Sequence, residues 1–130
     1  MATVNWEAYA DGNIFKGSVS DFHAADGLST AINLGGYLLH TIYMPATWTS
    51  AALGFSLSYD GTNWLPVKDI NGEVTYSNTI AVASMALTVK PELAMQLQGV
   101  LKLRSGAIGA AVQQGATRTV VLIASKISWR

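Results

Sequence analysis

Between Leu53 and Trp64 the chain spells out a β-hairpin. Leu53, Phe55, Leu57 and Tyr59 alternate with Gly54, Ser56 and Ser58. Successive side chains of a strand point to opposite faces, so a period of two predicts one apolar face and one small polar face. Asp60-Gly61-Thr62-Asn63 follows. An Asp-Gly pair supplies tight-turn geometry, which predicts that Leu53 to Lys68 folds back on itself with Trp64 on the return strand, capping the core. A chain committed to such a ribbon must find other strands to cover the apolar face.

Those strands are legible on both sides. Thr30 to Leu34 and Tyr37 to Met44 flank Gly35-Gly36, and the second run, with Tyr37, Leu39, Ile42 and Tyr43, is stopped by Pro45. Asn71-Gly72 marks a further turn before Glu73 to Tyr76, and short strands are expected at Thr79 to Ala83 and Met85 to Val89. Leu101, Lys102, Leu103 and Arg104 alternate apolar with basic, while Thr117 to Lys126 is rich in β-branched residues. Only Pro91 to Gln98 reads as helix, with Pro91 at the first helical position, Glu92 facing the helix N-terminus and Gly99 as the stop. Many short strands with turn signals at intervals of about ten residues predict an all-β fold. The expected architecture is a single-domain antiparallel β-sandwich, jelly-roll-like, with one short helix at most. Residues 1–22 carry the least pattern and are expected as an N-terminal arm or irregular segment, with the sandwich over residues 23–130.

Charge narrows the function classes. The 130 residues carry 8 Lys+Arg and 8 Asp+Glu, or 12% charged with zero net charge, about half the usual fraction. From Gly27 to Tyr59 there is no Asp, Glu, Lys or Arg. Phosphate attraction needs clustered cations, so neither nucleic acid nor an anionic membrane surface is an expected partner. Lys102 and Arg104 share a strand face, and two such residues are ordinarily a solvated surface. No run approaches eighteen consecutive apolar residues, so no membrane-spanning helix is expected. Cysteine is absent, which removes disulfides and thiolate ligands. Met1 to Asp11 is polar and holds Glu7 and Asp11 where a signal peptide would place a basic and then an apolar region, so secretion by that route is not expected. Low net charge offers little repulsion between copies, and ordered self-association is expected.

Catalytic patterns are missing. There is no Gly-x-Ser-x-Gly elbow, no phosphate loop, no Gly-x-Gly-x-x-Gly fingerprint and no isolated carboxylate pair. His23 stands near Asp21 and Asp26, and His40 lies in a predicted strand; Asp21 and Asp26 read as turn residues before they read as ligands. No enzyme, metal or cofactor is expected. Four tryptophans, Trp6, Trp48, Trp64 and Trp129, offer flat surfaces. Trp48, between Pro45 and Leu53, is the one expected on an exposed loop. Ser105 to Thr117 is neutral and rich in Gly and Ala, a long loop whose small residues admit close approach without desolvating charge. The candidate contact residues are therefore Trp48, Thr49, Ser56 and Ser58, the last two facing outward, with Gly106, Ile108, Gln113 and Gln114 from that loop.

Four stretches carry a family resemblance: Pro45-Ala-Thr-Trp-Thr-Ser-Ala-Ala-Leu53, Gly54-Phe-Ser-Leu-Ser-Tyr-Asp-Gly-Thr-Asn-Trp64, Leu101-Lys-Leu-Arg-Ser-Gly106 and Gln114-Gly-Ala-Thr-Arg-Thr-Val-Val-Leu122. Together, over about residues 34–122, they resemble small β-sandwich proteins encoded among the virion structural genes of tailed bacteriophages and gene-transfer agents. The strand followed by Asp-Gly-x-x-Trp, taken singly, also looks like discoidin-type jelly rolls and other carbohydrate-binding sandwiches, whose usual terminal cysteines this chain lacks. The virion resemblance implies a capsid decoration or cement protein on the capsid exterior, assembled in the bacterial cytoplasm. Its implied partners are the major capsid protein, further copies of itself, for example as a trimer, and a head-fibre protein. The alternatives are a carbohydrate-binding or host-adhesion module and a tail, neck or baseplate component.

Overall fold

In a computed structural model, which describes residues 3–4, 6–9 and 13–126, the chain forms two main, largely antiparallel sheets, a two-stranded ribbon and one short helix. The principal strands are β1 (Ile14–Asp21), β2 (Ala31–Asn33), β3 (Tyr37–Tyr43), β4 (Leu53–Ser58), β5 (Thr75–Tyr76), β6 (Ala86–Thr88), β7 (Val100–Ala107) and β8 (Arg118–Lys126), with α1 (Pro91–Gln96) between β6 and β7. One sheet runs β2-β7-β4-β5 and the other β6-β3-β8-β1. Every connection except β4 to β5 crosses between the sheets. The pairings nest, with β4 on β5, β3 on β6, β2 on β7 and β1 on β8. A doubled ribbon rolled up in this way is the jelly-roll sandwich that the turn spacing predicts.

The core lies between the sheets. Leu101 and Leu103 on β7, Leu53 and Phe55 on β4, and Val120 and Leu122 on β8 are all fully buried, each stabilising the fold by about 1.5–3 kcal/mol. The two open sides are closed differently. On one, the Tyr76 hydroxyl donates to the Thr88 carbonyl at 3.2 Å, joining the two edge strands. On the other, Trp6 stacks on Tyr37 at 5.1 Å and donates its indole N–H to the Asn33 carbonyl at 2.8 Å.

Trp6 can lie there because residue 17 is glycine. A Cβ at Gly17 would come within 2.9 Å of Ile32 and 3.0 Å of the Trp6 ring. This explains one departure from expectation. Ile14–Asp21 is not an irregular arm but a full-length strand paired with β8 from Ser125↔Ile14 to Arg118↔Asp21, so the sandwich begins before residue 23. Its alternation is obscured because the glycine leaves a gap that a distant tryptophan fills.

Three local expectations also change. Residues 79–83 form turns rather than a strand, with Ile80 and Ala81 both donating to the Ser77 carbonyl. The helix stops at Gln96, two residues before the expected end. Residues 105–107 extend β7, and Gly106 and Ala107 pair with Ala111 and Ala110, so the neutral loop is partly a hairpin. The predicted hairpin at Leu53 pairs Leu57 with Leu65 and Ser56 with Pro66. Trp129 lies outside the described residues.

Candidate interaction surface

The rolled topology gathers four connections at one end of the sandwich: residues 22–30, 44–52, 77–85 and 108–117. Gln114 ties them together. It is fully buried, and its Oε1 accepts the Thr49 N–H at 2.8 Å while its Nε2 donates to the Thr49 carbonyl at 3.0 Å and to Ser105 Oγ at 2.9 Å. The Gln114 N–H donates to the Phe22 carbonyl, and its own carbonyl accepts from His23 Nδ1 at 2.7 Å, which places the ring proton on that nitrogen. Gln113 Nε2 donates to the His23 carbonyl at 2.6 Å. The Ser84 N–H donates to the Pro45 carbonyl, joining the last of the four connections. A buried amide whose donors and acceptor are all engaged fixes these loops in one arrangement.

Trp48 belongs to the floor of this end. Only 6% exposed, it meets Phe22 edge-on at 5.1 Å and directs its indole N–H toward the Ala51 carbonyl at 3.4 Å. The expected exposed loop aromatic is thus a core residue, because the crossing of residues 22–30 over 44–52 brings Phe22 beneath it. Thr49 remains exposed beside it, as do Gln113 and Ile108. Gly106 is buried at φ 103°, a left-handed conformation suited to glycine, where a Cβ would strike the Ala110 carbonyl. The topology therefore brings together Trp48, Thr49, Gly106, Ile108, Gln113 and Gln114. It offers outward the exposed residues of 46–50 and 108–117, uncharged throughout and small except for Ile108 and Gln113.

Ser56 and Ser58 are not part of that end, nor do they face solvent. Ser56 is 2% exposed and lies within 3.4 Å of Arg104 Nη1. Ser58 Oγ accepts the Gly61 N–H at 2.8 Å and donates to Asp60 at 3.0 Å. Their side of the sheet is covered by the segment between β4 and β5. Arg104, expected on a solvated surface, is 7% exposed; its guanidinium crosses Gly54 to pair with Glu73, whose other oxygen accepts the Ile108 N–H at 2.8 Å. Glu73 is the partner that sequence reading missed. Trp64 also lies on this outer side, with Lys102 Nζ 4.6 Å from its ring centre, rather than capping the core.

Asp60 and Tyr76 are displaced from their ordinary values, each by its local surroundings. Asp60 accepts the Asn63 and Thr62 backbone N–H groups, then the Asn63 amide and the Ser58 hydroxyl, which together hold its carboxyl well below the usual carboxylate range. Burial pushes the Tyr76 phenol up. Among the described residues no three His, Cys, Asp or Glu side chains converge as a metal site. His40 is exposed on β3, away from the His23 connection. No helix is long and apolar enough to cross a membrane among the described residues. No protein-family model, curated protein or solved structure matches the chain.

Proposed function

We propose that this chain is a bacteriophage virion structural protein, a capsid decoration or cement protein that binds the major capsid lattice through the loop end tied by Gln114. The observation that carries the reading is the rigid, uncharged part of that end, residues 46–50 and 108–117: Gln114 is spent on holding main chain, leaving an ordered surface of Ala, Gly, Ser, Thr and Gln with Ile108. Such a surface binds protein with little loss of conformational freedom and no charge to desolvate. Fold alone assigns no function, and jelly rolls serve as lectins as well as capsid components. The glycan alternative, with Trp48 and tyrosines as its stacking groups, loses Trp48, which is buried, and keeps exposed tyrosines such as Tyr59.

Cementing needs no chemistry. A protein that binds only the assembled lattice stabilises it by mass action, by about 2.7 kcal/mol per site at a free concentration 100 times Kd. Heat challenge of particles assembled with and without the protein tests this. Decorated particles are expected to release their genome at a higher temperature, and Ala116→Asp in the exposed loop is expected to abolish both binding and protection. Equal release temperatures, or a copy number of a few per particle, would reject the cement role, the second in favour of a tail, neck or baseplate position.

A further inference from the structure

A second surface lies toward the other end of the β2-β7-β4-β5 sheet, where residues 65–71 face the end of α1 and the start of β7 across an open cleft of about 1220 Å³. Its apolar residues are unusually bare: Ile70 is 98% exposed, Tyr59 83% and Leu65 56%. Ile70 does not sit on a loose loop. It occupies the tip of a two-stranded ribbon, Lys68–Asp69 paired with Gly72–Glu73, in which Asp69 Oδ1 accepts the Asn71 N–H at 2.7 Å and Glu73 is anchored to Arg104. The ribbon is thus fixed at its tip and at its base. A β-branched side chain held rigidly in water gives up little freedom when it is covered.

We infer that this cleft is a two-fold self-association surface, in which the Ile70 tip of each copy enters the cleft of the other. Two observations select a second copy of this chain over a different partner. The knob and the apolar cleft adjoin each other, which is the self-complementary arrangement an isologous contact requires. Among the described residues, Lys68 and Asp69 are the only charged ones lining the cleft. They are neighbours of opposite sign, both exposed, and neither forms a salt bridge within the chain among the described residues. A two-fold axis beside Ile70 sets Lys68 of one copy against Asp69 of the other, twice. A strongly acidic or basic partner would find no net charge here to recognise. The inference does not depend on lattice binding, which uses the opposite end.

Sedimentation equilibrium of the purified protein, read over a range of concentrations, tests the pairing. Wild type is expected at twice the chain mass, and Ile70→Asp is expected to weaken association by at least about 100-fold, with a thermal melt equal to that of wild type at dilutions where wild type is itself monomeric. Lys68→Asp alone is expected to weaken it about tenfold, and the exchange of both charges, Lys68→Asp with Asp69→Lys, to restore it. A wild-type monomer at millimolar concentration, a trimer, an Ile70→Asp variant that still pairs, or a double exchange as weak as the single variant would each overturn the inference. Retained pairing by Ile70→Asp with lost binding to capsid shells would overturn it too, and would assign the cleft to the lattice. Loss of pairing with shell binding intact would support it and leave the decoration reading standing.

Discussion

Replacing Gln114 by leucine keeps the side chain's bulk and removes every polar contact that the side chain makes, leaving those of its backbone. Three side-chain hydrogen bonds of 2.8–3.0 Å disappear, two to the Thr49 backbone and one to Ser105 Oγ, together with a long contact of 3.4 Å from Arg118 Nε. At about 1 kcal/mol net for each, the gross loss is about 3 kcal/mol. Thr49 is exposed and can turn its N–H and carbonyl to water, whereas Ser105 is fully buried and cannot. Leucine also recovers some apolar burial, so the expected destabilisation is about 2 kcal/mol. At about 2.1 cal/mol/K per residue, 130 residues have an unfolding entropy of about 0.27 kcal/mol/K, and Tm should fall about 7 °C. Urea unfolding is expected to show a lower midpoint at unchanged slope, and amide exchange should show the Thr49 N–H losing its protection. A loss below about 0.5 kcal/mol, or a Thr49 amide still protected, would refute the claim that Gln114 holds this end together.

The ion pair beneath the Ile70 ribbon gives a second test: Glu73→Gln strands the Arg104 guanidinium, 7% exposed, without a counter-charge and should cost about 3 kcal/mol. Gly54→Ala places a Cβ 2.6 Å from Arg104 Nη2 and breaks the same pair, so the double variant is expected to lose clearly less than the two single losses combined; full additivity in urea unfolding would show the sites to be independent. Asp60 supplies a pH signature. Its folded-state value lies below the ordinary 3.8, so its contribution is present above about pH 4 and is lost as the pH falls further. Wild type should therefore lose stability between pH 4 and pH 2 more steeply than Asp60→Asn, and parallel curves would contradict the turn geometry.

What the sequence disclosed, and what it hid, follows from distance along the chain. The hairpin after Leu53 and the helix start at Pro91 are local signals, written by the residues that obey them. The burial of Ser56 is not local, because the cover over it depends on Arg104 and Glu73, separated by 31 residues. Trp48 looked exposed among small polar neighbours, yet Phe22, which meets it edge-on, arrives by a crossing between sheets. The neutrality of residues 105–117 was legible and is real. The role of Gln114 was not, since an uncharged amide in a run of Gly and Ala announces nothing until the Thr49 backbone is placed 65 positions away.

The nested pairing also sets a timetable. β1 is the first principal strand made and β8 the last, yet the two lie side by side, with Ile14 opposite Ser125. Contacts this remote in sequence are slow to close, because the whole intervening chain must be ordered around them. During synthesis β1 and β3 therefore wait with an unfilled place between them until residues 118–126 leave the ribosome. Gln114 emerges just before that strand, so the loop end cannot be tied any earlier. A chain that still lacks residues 118–126 thus has no finished loop end to present to anything.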